Sequence, residues 1–347
     1  MRGRFILKTI QTSLQQELSV FPTQLEFLRV LNFRGSDYFQ EQKKLYRSLD
    51  AGDVGERRVL EYLEEFGSRG WVVLRNVWLN DFGTFECDVI LITRYCVYVF
   101  EIKNYTGLFA YDEGKCYVEK METSLNPIEQ CRRNVVNLRN ILRKSFPSLP
   151  IKAATLFAGI DNDVQILSAV SDIDIRNSTQ LRRFVLDILN EERQSPPHRI
   201  PFEKIIAALE CVEIVNPYMP QALTADEFQH IRGGINCASC QSFEVTISKF
   251  KVVCSCGLTE SREEAIIRAV CDYGVLNYGS NLVRKELVEF FDGQISSNLL
   301  KKVMDKHFSL KKNARYTHWI NKNLSFDRIS HSFVLKHPKI FTFMGNS

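Results

Sequence analysis

The sequence predicts an α/β fold with a mostly antiparallel run of strands, followed by smaller modules. Apolar runs rich in Val, Ile, Tyr and Phe between residues 71 and 105 are typical of strands. A helix is predicted before them, over 53–66 with Asp53 as its N-cap, and another begins at Asn126. Two further strands are predicted within 151–170. This mixture indicates an α/β core of about 140 residues.

Composition narrows the class of protein. A chain of 347 residues suits two or three domains. With 45% hydrophobic and 25% charged residues, it is neither disordered nor fibrous. No apolar run approaches the ~18 residues of a membrane span, and Lys8 interrupts the first apolar run, which argues against a secretory signal. We therefore expect a cytoplasmic protein with no membrane partner, and a net charge of +4 neither demands nor excludes an anionic one.

The remaining elements divide the chain further. Residues 191–201 are polar and Pro-rich, as in a linker, and 202–232 are predicted to be helical. A cysteine-rich hairpin and a helical region follow. The predicted segments are an N-terminal helical extension (1–50), the α/β domain (51–190), linker and helices (191–232), the cysteine-rich hairpin (233–262) and a helical basic region (263–347).

Two strands of the α/β domain carry a pair of carboxylates. If 86–93 and 95–105 pair around a turn at Arg94–Tyr95, opposed residue numbers sum to 189, and Asp88 faces Glu101. Opposed residues lie ~4.5–5.5 Å apart at Cβ, so the two carboxylates repel unless a divalent cation such as Mg²⁺ offsets the cost. Lys103 shares the face of Glu101, because strand side chains alternate. A Glu-x-Lys alone is more often a solvent-facing pair, but the apolar neighbours here indicate a central hairpin.

A third carboxylate is predicted on the helix over 53–66. Glu56 shares a helical face with Val59 and Leu63, which should pack on the sheet. An inward carboxylate is uncommon unless it is paired or ligated.

These residues resemble the PD-(D/E)xK nuclease superfamily and, more narrowly, the nuclease-related domain (NERD) family. The resemblance implies a restriction-endonuclease-like fold, a mixed sheet flanked by helices. The resemblance covers roughly residues 50–190. The matching positions are Gly55-Glu56, Asp88, Glu101-Ile102-Lys103-Asn104, Gly107, Asn126-Pro127 and Gln130. Cys87 stands where the superfamily usually has a proline before the first aspartate.

The resemblance implies a nuclease that depends on Mg²⁺ or Mn²⁺. Asp88 and Glu101 would be metal ligands, Lys103 the catalytic lysine, Glu56 an auxiliary acid and Gln130 a polar residue near the site, although Gln130 could equally be an ordinary solvent-facing glutamine. The substrate would be nucleic acid, with DNA favoured over RNA, and a homodimer stays open. The alternative is a non-catalytic nucleic-acid-binding or protein-interaction module on a nuclease-like scaffold.

Four of the ten cysteines are clustered. Cys237 and Cys240 have two residues between them, Cys254 and Cys256 have one, and a hairpin pattern joins the two pairs. Four thiolates so placed suit structural Zn²⁺ and resemble a zinc ribbon. The single spacer leaves room for a substitute ligand such as Cys271 or His230, and four reduced thiols without metal are the other interpretation.

The C-terminal part is helical and basic. Helices predicted at 261–276, 281–291 and 295–308, the last capped by Ser296 or Ser297, resemble a helix-turn-helix or winged-helix unit. Residues 284–322 hold nine Lys or Arg against four acids. A solvated basic face is the alternative to nucleic-acid binding. The candidate nucleic-acid contacts are Lys301, Lys302, Lys306, Lys311, Lys312 and Arg315.

Overall fold

The structure, a computed structural model, describes residues 8–9, 11–18, 20–81, 83–313 and 316–326. Two compact units are present. The first combines the chain up to Glu17 with Ser48–Pro217, and the second combines Leu18–Arg47 with the chain from Tyr218 onward.

The chain forms the following helices and strands, in chain order. They are β1 (Lys8–Thr9), α1 (Ser13–Leu18), α2 (Gln24–Arg34), α3 (Gln40–Phe66), β2 (Val72–Asn80), β3 (Thr84–Ile92), β4 (Val97–Lys103), β5 (Gly107–Asp112), β6 (Lys115–Val118), β7 (Met121–Thr123), α4 (Pro127–Arg143), β8 (Ile151–Phe157), β9 (Asn162–Ile166), β10 (Asp174–Asn177), α5 (Leu181–Gln194), α6 (Phe202–Glu210), α7 (Ala225–Phe228), β11 (Val245–Ile247), β12 (Lys251–Cys254), β13 (Thr259–Ser261), α8 (Arg262–Leu276), α9 (Arg284–Phe290), α10 (Ser297–His307), β14 (Leu310–Asn313) and β15 (Tyr316–Trp319).

The first unit is built on a six-stranded mixed sheet in the order β1-β2-β3-β4-β8-β10. The strands β2, β3 and β4 are antiparallel, whereas β8 runs parallel to β4 and β10 parallel to β8. Helix α4 covers one face and shares a core with Ile90 and Val99. Helices α3 and α5 cover the other face and share a core with Val89, Leu91 and Phe100. This is the predicted mixed sheet flanked by helices, and burial on both faces explains the nearly continuous apolar runs.

The register of the central hairpin is confirmed. Val89 pairs with Phe100 and Ile92 with Val97, so the paired numbers sum to 189, and the turn falls at Arg94–Tyr95. The described ladder ends at the Val89–Phe100 pair. Asp88 and Glu101 lie one step beyond it, where the two strands separate.

Two helix predictions were wrong. The helix expected to start at Asp53 begins at Gln40, so Asp53 lies inside α3, where its carboxylate pairs with Arg57 at 2.8 Å. The region 202–232 holds only α6 and α7 rather than continuous helix. Pro217 and Pro220 lie between these helices, and proline lacks the backbone N–H and the freedom in φ that a longer helix would need.

The second unit has a separate core formed mainly by α8, α9 and α10, on which α2 also packs. All three C-terminal helices fall within their predicted ranges. Ser296 is the N-cap of α10, since its hydroxyl accepts a hydrogen bond from the Leu299 N–H at 3.3 Å. The strands β11, β12 and β13 form a small sheet, and β14 pairs with β15. Among the described residues, no helix combines the length and the apolar character needed to cross a bilayer.

Candidate active site and cysteine cluster

Glu101 is the centre of the candidate active site. It is fully buried near the end of β4. One of its oxygens, Oε1, lies 2.6 Å from Lys103 Nζ, and the other accepts a hydrogen bond from Asn134 Nδ2 of α4 at 3.3 Å. The carboxylate is therefore held between the lysine of its own strand and the helix above the sheet.

Asp88 reaches the same place from β3. Its Oδ2 accepts a hydrogen bond from the backbone N–H of Ile102 at 2.7 Å. Asp88 therefore joins β3 to β4 just beyond the end of their ladder, at Ile102, the residue that follows Glu101. Asp88 lies close enough to Glu101 for its charge to raise the pKa of that carboxyl group, but the described ladder does not include the two residues as a facing pair.

Helix α4 places Gln130 beside Lys103. The Nζ of Lys103 donates to Gln130 Oε1 at 3.4 Å. The helix begins as predicted, with Pro127 in its first turn and Asn126 as N-cap, whose side chain accepts from the N–H groups of Ile128 and Glu129. Gln130 therefore lies at the site in the first turn of α4, and its role in the reaction stays a prediction.

Glu56 projects inward from α3, as its helical face predicts. Its carboxylate forms an ion pair with Arg75 of β2 at 3.1 Å. Arg75 also lies 3.8 Å from Asp53. The inward glutamate is therefore paired within the protein, and this pairing explains how it is tolerated.

Burial and crowding shift the pKa values of these groups. Burial, followed by the charge of Asp88, raises the pKa of Glu101 to about 8, although Lys103 opposes the shift. Burial also raises the pKa of Asp88, against the opposing effects of Lys103 and the Ile102 N–H. For Lys103, burial disfavours the ammonium, but Glu101 and Asp88 outweigh it and raise its pKa. Burial and Asp88 raise the pKa of Glu56 to about 7.

Sequence reasoning missed two residues of this site. Glu86 lies two positions before Asp88 on β3, and burial together with Asp88 raises its pKa to about 8. Asn134 lies four positions after Gln130 on α4, and it also donates to the Glu86 backbone carbonyl at 2.8 Å. The signals were present, because positions i and i+2 of a strand, and i and i+4 of a helix, share a face.

The residues present fit a hard divalent cation. Mg²⁺ is usually held by one or two carboxylates, with water and substrate phosphates completing its ligands. Asp88 and Glu101 supply two carboxylates in a buried, crowded position. Among the described residues, no group of three or more acidic or histidine side chains is as compact as the cysteine group described next. Water and substrate phosphate would supply the other ligands, as is usual for Mg²⁺.

The four clustered cysteines form a compact set of sulfurs. Their Sγ atoms all lie within 4.8 Å of one another. Cys237 Sγ is 3.6 Å from Cys256 Sγ, and Cys240 Sγ is 3.5 Å from Cys254 Sγ. These separations are too long for disulfides, and they are close to the ~3.8 Å edge of a zinc–thiolate tetrahedron with Zn–S of about 2.3 Å. The group can bind zinc.

The second pair of cysteines, Cys254 and Cys256, is followed by a tight turn at Gly257. Gly257 has a φ of +92°, and its N–H donates to the Cys254 carbonyl at 3.0 Å. A hydrogen bond from the Cys256 backbone lowers the pKa of Cys254 to about 7, which favours its thiolate. Neither substitute ligand is part of the group: Cys271 is buried in α8, and His230 stacks on Tyr38 with ring centroids 4.2 Å apart.

The candidate nucleic-acid contacts all belong to the second unit. Lys301 pairs with Asp305, and Lys306 lies 2.6 Å from Glu263. Lys302, Lys311 and Lys312 are exposed. Arg315, also predicted as a contact, lies outside the described residues.

Comparison with known proteins agrees with the geometry. The family model of the nuclease-related domain matches residues 51–158. This range contains Glu56, Asp88, Glu101, Lys103 and Gln130. No curated protein and no solved structure matches the chain. Residues 51–158 of this protein are therefore a nuclease-related domain.

Proposed function

We propose that this protein is a divalent-metal-dependent nuclease that hydrolyses phosphodiester bonds in nucleic acid, with DNA favoured over RNA, in the cytoplasm. The observation that carries the proposal is the buried Glu101–Lys103 ion pair, 2.6 Å long, with Asp88 fixed beside it on the neighbouring strand. The match to the nuclease-related domain supports it.

The residues have distinct roles in this proposal. Asp88 and Glu101 would hold Mg²⁺ or Mn²⁺, which supplies Lewis-acid activation of phosphate and water. Lys103 stays protonated because its pKa is raised, so its ammonium group can stabilise negative charge as it develops on the phosphate. Glu101 and Gln130 position that ammonium group from opposite elements. Glu56, with a pKa of about 7, can give or take a proton near neutral pH.

The second unit would serve this reaction. We propose a structural Zn²⁺ on Cys237, Cys240, Cys254 and Cys256, because four thiolates leave no open position for catalysis. The basic residues of the C-terminal region would hold nucleic acid. Their helix-turn-helix-like setting supports DNA as the substrate.

The test measures cleavage of labelled single-stranded and double-stranded DNA and RNA, with Mg²⁺, with Mn²⁺ and without added metal. Chelators are avoided, because they would also strip the cysteine cluster. We expect Lys103→Ala and Asp88→Asn to lower the cleavage rate about a hundredfold or more, since each removes charge stabilisation or a metal ligand. Lys115→Ala, at an exposed lysine of the same domain, is the charge-matched control and should cleave like the wild type.

Three outcomes would count against the proposal. Undiminished cleavage by Lys103→Ala, or cleavage without any metal dependence, would contradict the assigned site. Binding without cleavage would favour a nucleic-acid-binding protein on a nuclease scaffold. The absence of both binding and cleavage would favour a protein-interaction module.

A further inference from the structure

The C-terminal helices are completed by a β-hairpin that the sequence analysis did not predict. Strands β14 and β15 follow α10, and the Leu282 N–H donates to the Trp319 carbonyl at 2.9 Å while the Trp319 N–H donates back at 3.0 Å. The order is thus a helix, a single bridging residue (Leu282), two helices and a hairpin whose last strand pairs with that residue. Of the two arrangements that the sequence left open, this is the winged helix.

Helix α10 has one buried face and one open face. Leu300, Val303 and Met304 point into the core. Asn298, Lys302 and Asp305, spaced at i, i+4 and i+7, are exposed on the opposite side. The open face therefore presents polar side chains along the whole helix.

The open face is fixed relative to the hairpin. Trp319 Nε1 of β15 donates to Asp305 Oδ1 at 3.1 Å, and Asp305 also pairs with Lys301. At the start of the helix, Arg284 Nε donates to Ser297 Oγ at 2.9 Å. Helix α10 is therefore joined to the hairpin through Asp305 and to α9 through Ser297.

This surface is positively charged. Residues 297–313 hold five lysines and one aspartate. The aspartate is already paired with Lys301, and Lys306 lies against Glu263. Lys302 of α10 and the hairpin lysines Lys311 and Lys312 are exposed and form no ion pair with any residue the structure describes. Three lysines are therefore available to an anionic partner.

We infer that this winged helix binds double-stranded DNA, with α10 in the major groove and the lysines of β14 on the flanking phosphates. An α-helix with its side chains is about 10–12 Å wide, which fits the major groove of B-DNA, about 12 Å across. The deep, narrow major groove of A-form RNA would exclude it. Single strands are held mainly by stacking on exposed aromatic rings, whereas the rings at the surface proposed here, Phe308 after α10 and Trp319 of β15, are buried. The inference rests on the proposed nuclease function, for which it specifies the form of the substrate.

The experiment measures binding rather than cleavage. The full-length protein carries Lys103→Ala and receives no added divalent metal, so that the substrate stays intact. Fluorescence anisotropy compares a 25-base-pair DNA duplex with one of its single strands and with duplex RNA, at 50 to 200 mM salt. Over about this range of salt concentration, an affinity that depends on phosphate contacts falls steeply.

We expect the DNA duplex to bind at least about tenfold more tightly than the other two probes. Adding Lys302→Ala should weaken duplex binding roughly tenfold, and Lys311→Ala with Lys312→Ala should lower the slope of log affinity against log salt by about one per lost phosphate contact. Lys204→Ala removes the same charge from an exposed position on α6, and it should leave duplex binding unchanged. Circular dichroism checks that each variant is folded.

Equal affinity for duplex and single strand would overturn the inference, and so would equal effects of Lys302→Ala and Lys204→Ala. Salt-independent or absent nucleic-acid binding would also overturn it and would indicate a protein partner for this surface. Since neither metal nor cleavage enters the assay, failure here leaves the proposed reaction standing. Failure of the cleavage assay likewise leaves this binding result standing.

Discussion

At Gly55, helix α3 comes close to the chain that leaves β4. A Cβ at this position would lie 2.7 Å from Asn104 Cβ, closer than such atoms approach in proteins. Asn104 in turn donates from its side chain to the Ala51 carbonyl of α3 at 2.7 Å. Gly55 and Asn104 thus fasten the helix that carries Glu56 to the strand that carries Glu101 and Lys103. Both residues are among the positions that match the nuclease-related domain. Their contacts in this structure hold α3 against the chain that follows β4.

We expect Gly55→Ala to lower the thermal stability of the protein and to weaken cleavage, because α3 must move away from Asn104. Gly52→Ala is a matched control on the same helix, since nothing lies within 4 Å of the added methyl group. It should stabilise the helix by up to about 1 kcal/mol. Thermal unfolding and the cleavage assay measure both effects. Equal stability changes in the two variants would show that the close approach to Asn104 has no energetic role.

At the scale of the elements, the cysteine hairpin combines few buried apolar side chains with a compact group of four thiols. Phe250 and Val253 are exposed on it, and β11 has only three residues. Val252 lies in the core of the second unit, with Val245 and Ile247 packed against it, but a sheet this small buries little apolar surface by itself. The four sulfurs are placed where one Zn²⁺ would join both ends of the hairpin.

We expect purified protein to contain one equivalent of zinc, measured by elemental analysis. Cys240→Ser should lose most of that zinc, because three thiolates and a hydroxyl hold the ion poorly. Cys211→Ser, at an exposed cysteine outside the cluster, should keep it. Equal zinc content in the two variants, or none in the wild type, would contradict a zinc site here.

On the scale of the whole molecule, each unit has its own apolar core, and the second is assembled from distant parts of the chain. Arg34 of α2 is fully buried and forms an ion pair with Asp272 of α8 at 2.8 Å, across 238 positions of sequence. Its guanidinium also donates to the carbonyls of Arg232 and Gly234 and to Asn236. Burial lowers the pKa of Arg34, against the opposing effect of Asp272. Arg34 therefore connects α2 to α8 and to residues 232–236 within the second unit.

We expect Arg34→Met to destabilise the second unit by about 3–5 kcal/mol, because it leaves the Asp272 carboxylate buried without its partner. Unfolding should then show two transitions, with only that of the second unit shifted. Lys285→Met is the control, since the Lys285–Glu289 pair is exposed and such pairs contribute little. Differential scanning calorimetry measures both. A single transition that shifts as a whole would contradict independent cores.

The sequence by itself determined the features that depend on neighbouring residues. The β3–β4 register followed from two apolar runs and one tight turn, and the start of α4 followed from Asn126 and Pro127. The spacing of the cysteines indicated their grouping. In each case the signal lies within about twenty residues, where strand alternation, capping and turn geometry act directly.

Only the tertiary structure decided how distant segments combine. It extended α3 back to Gln40, joined α2 to the second unit through Arg34 and Asp272, and paired Leu282 with Trp319 to complete the winged helix. It also brought Asn134 of α4 onto Glu101. The local pattern of apolar residues does not indicate such pairings. They are fixed by burial of complementary faces and by hydrogen bonds between groups that are remote in sequence.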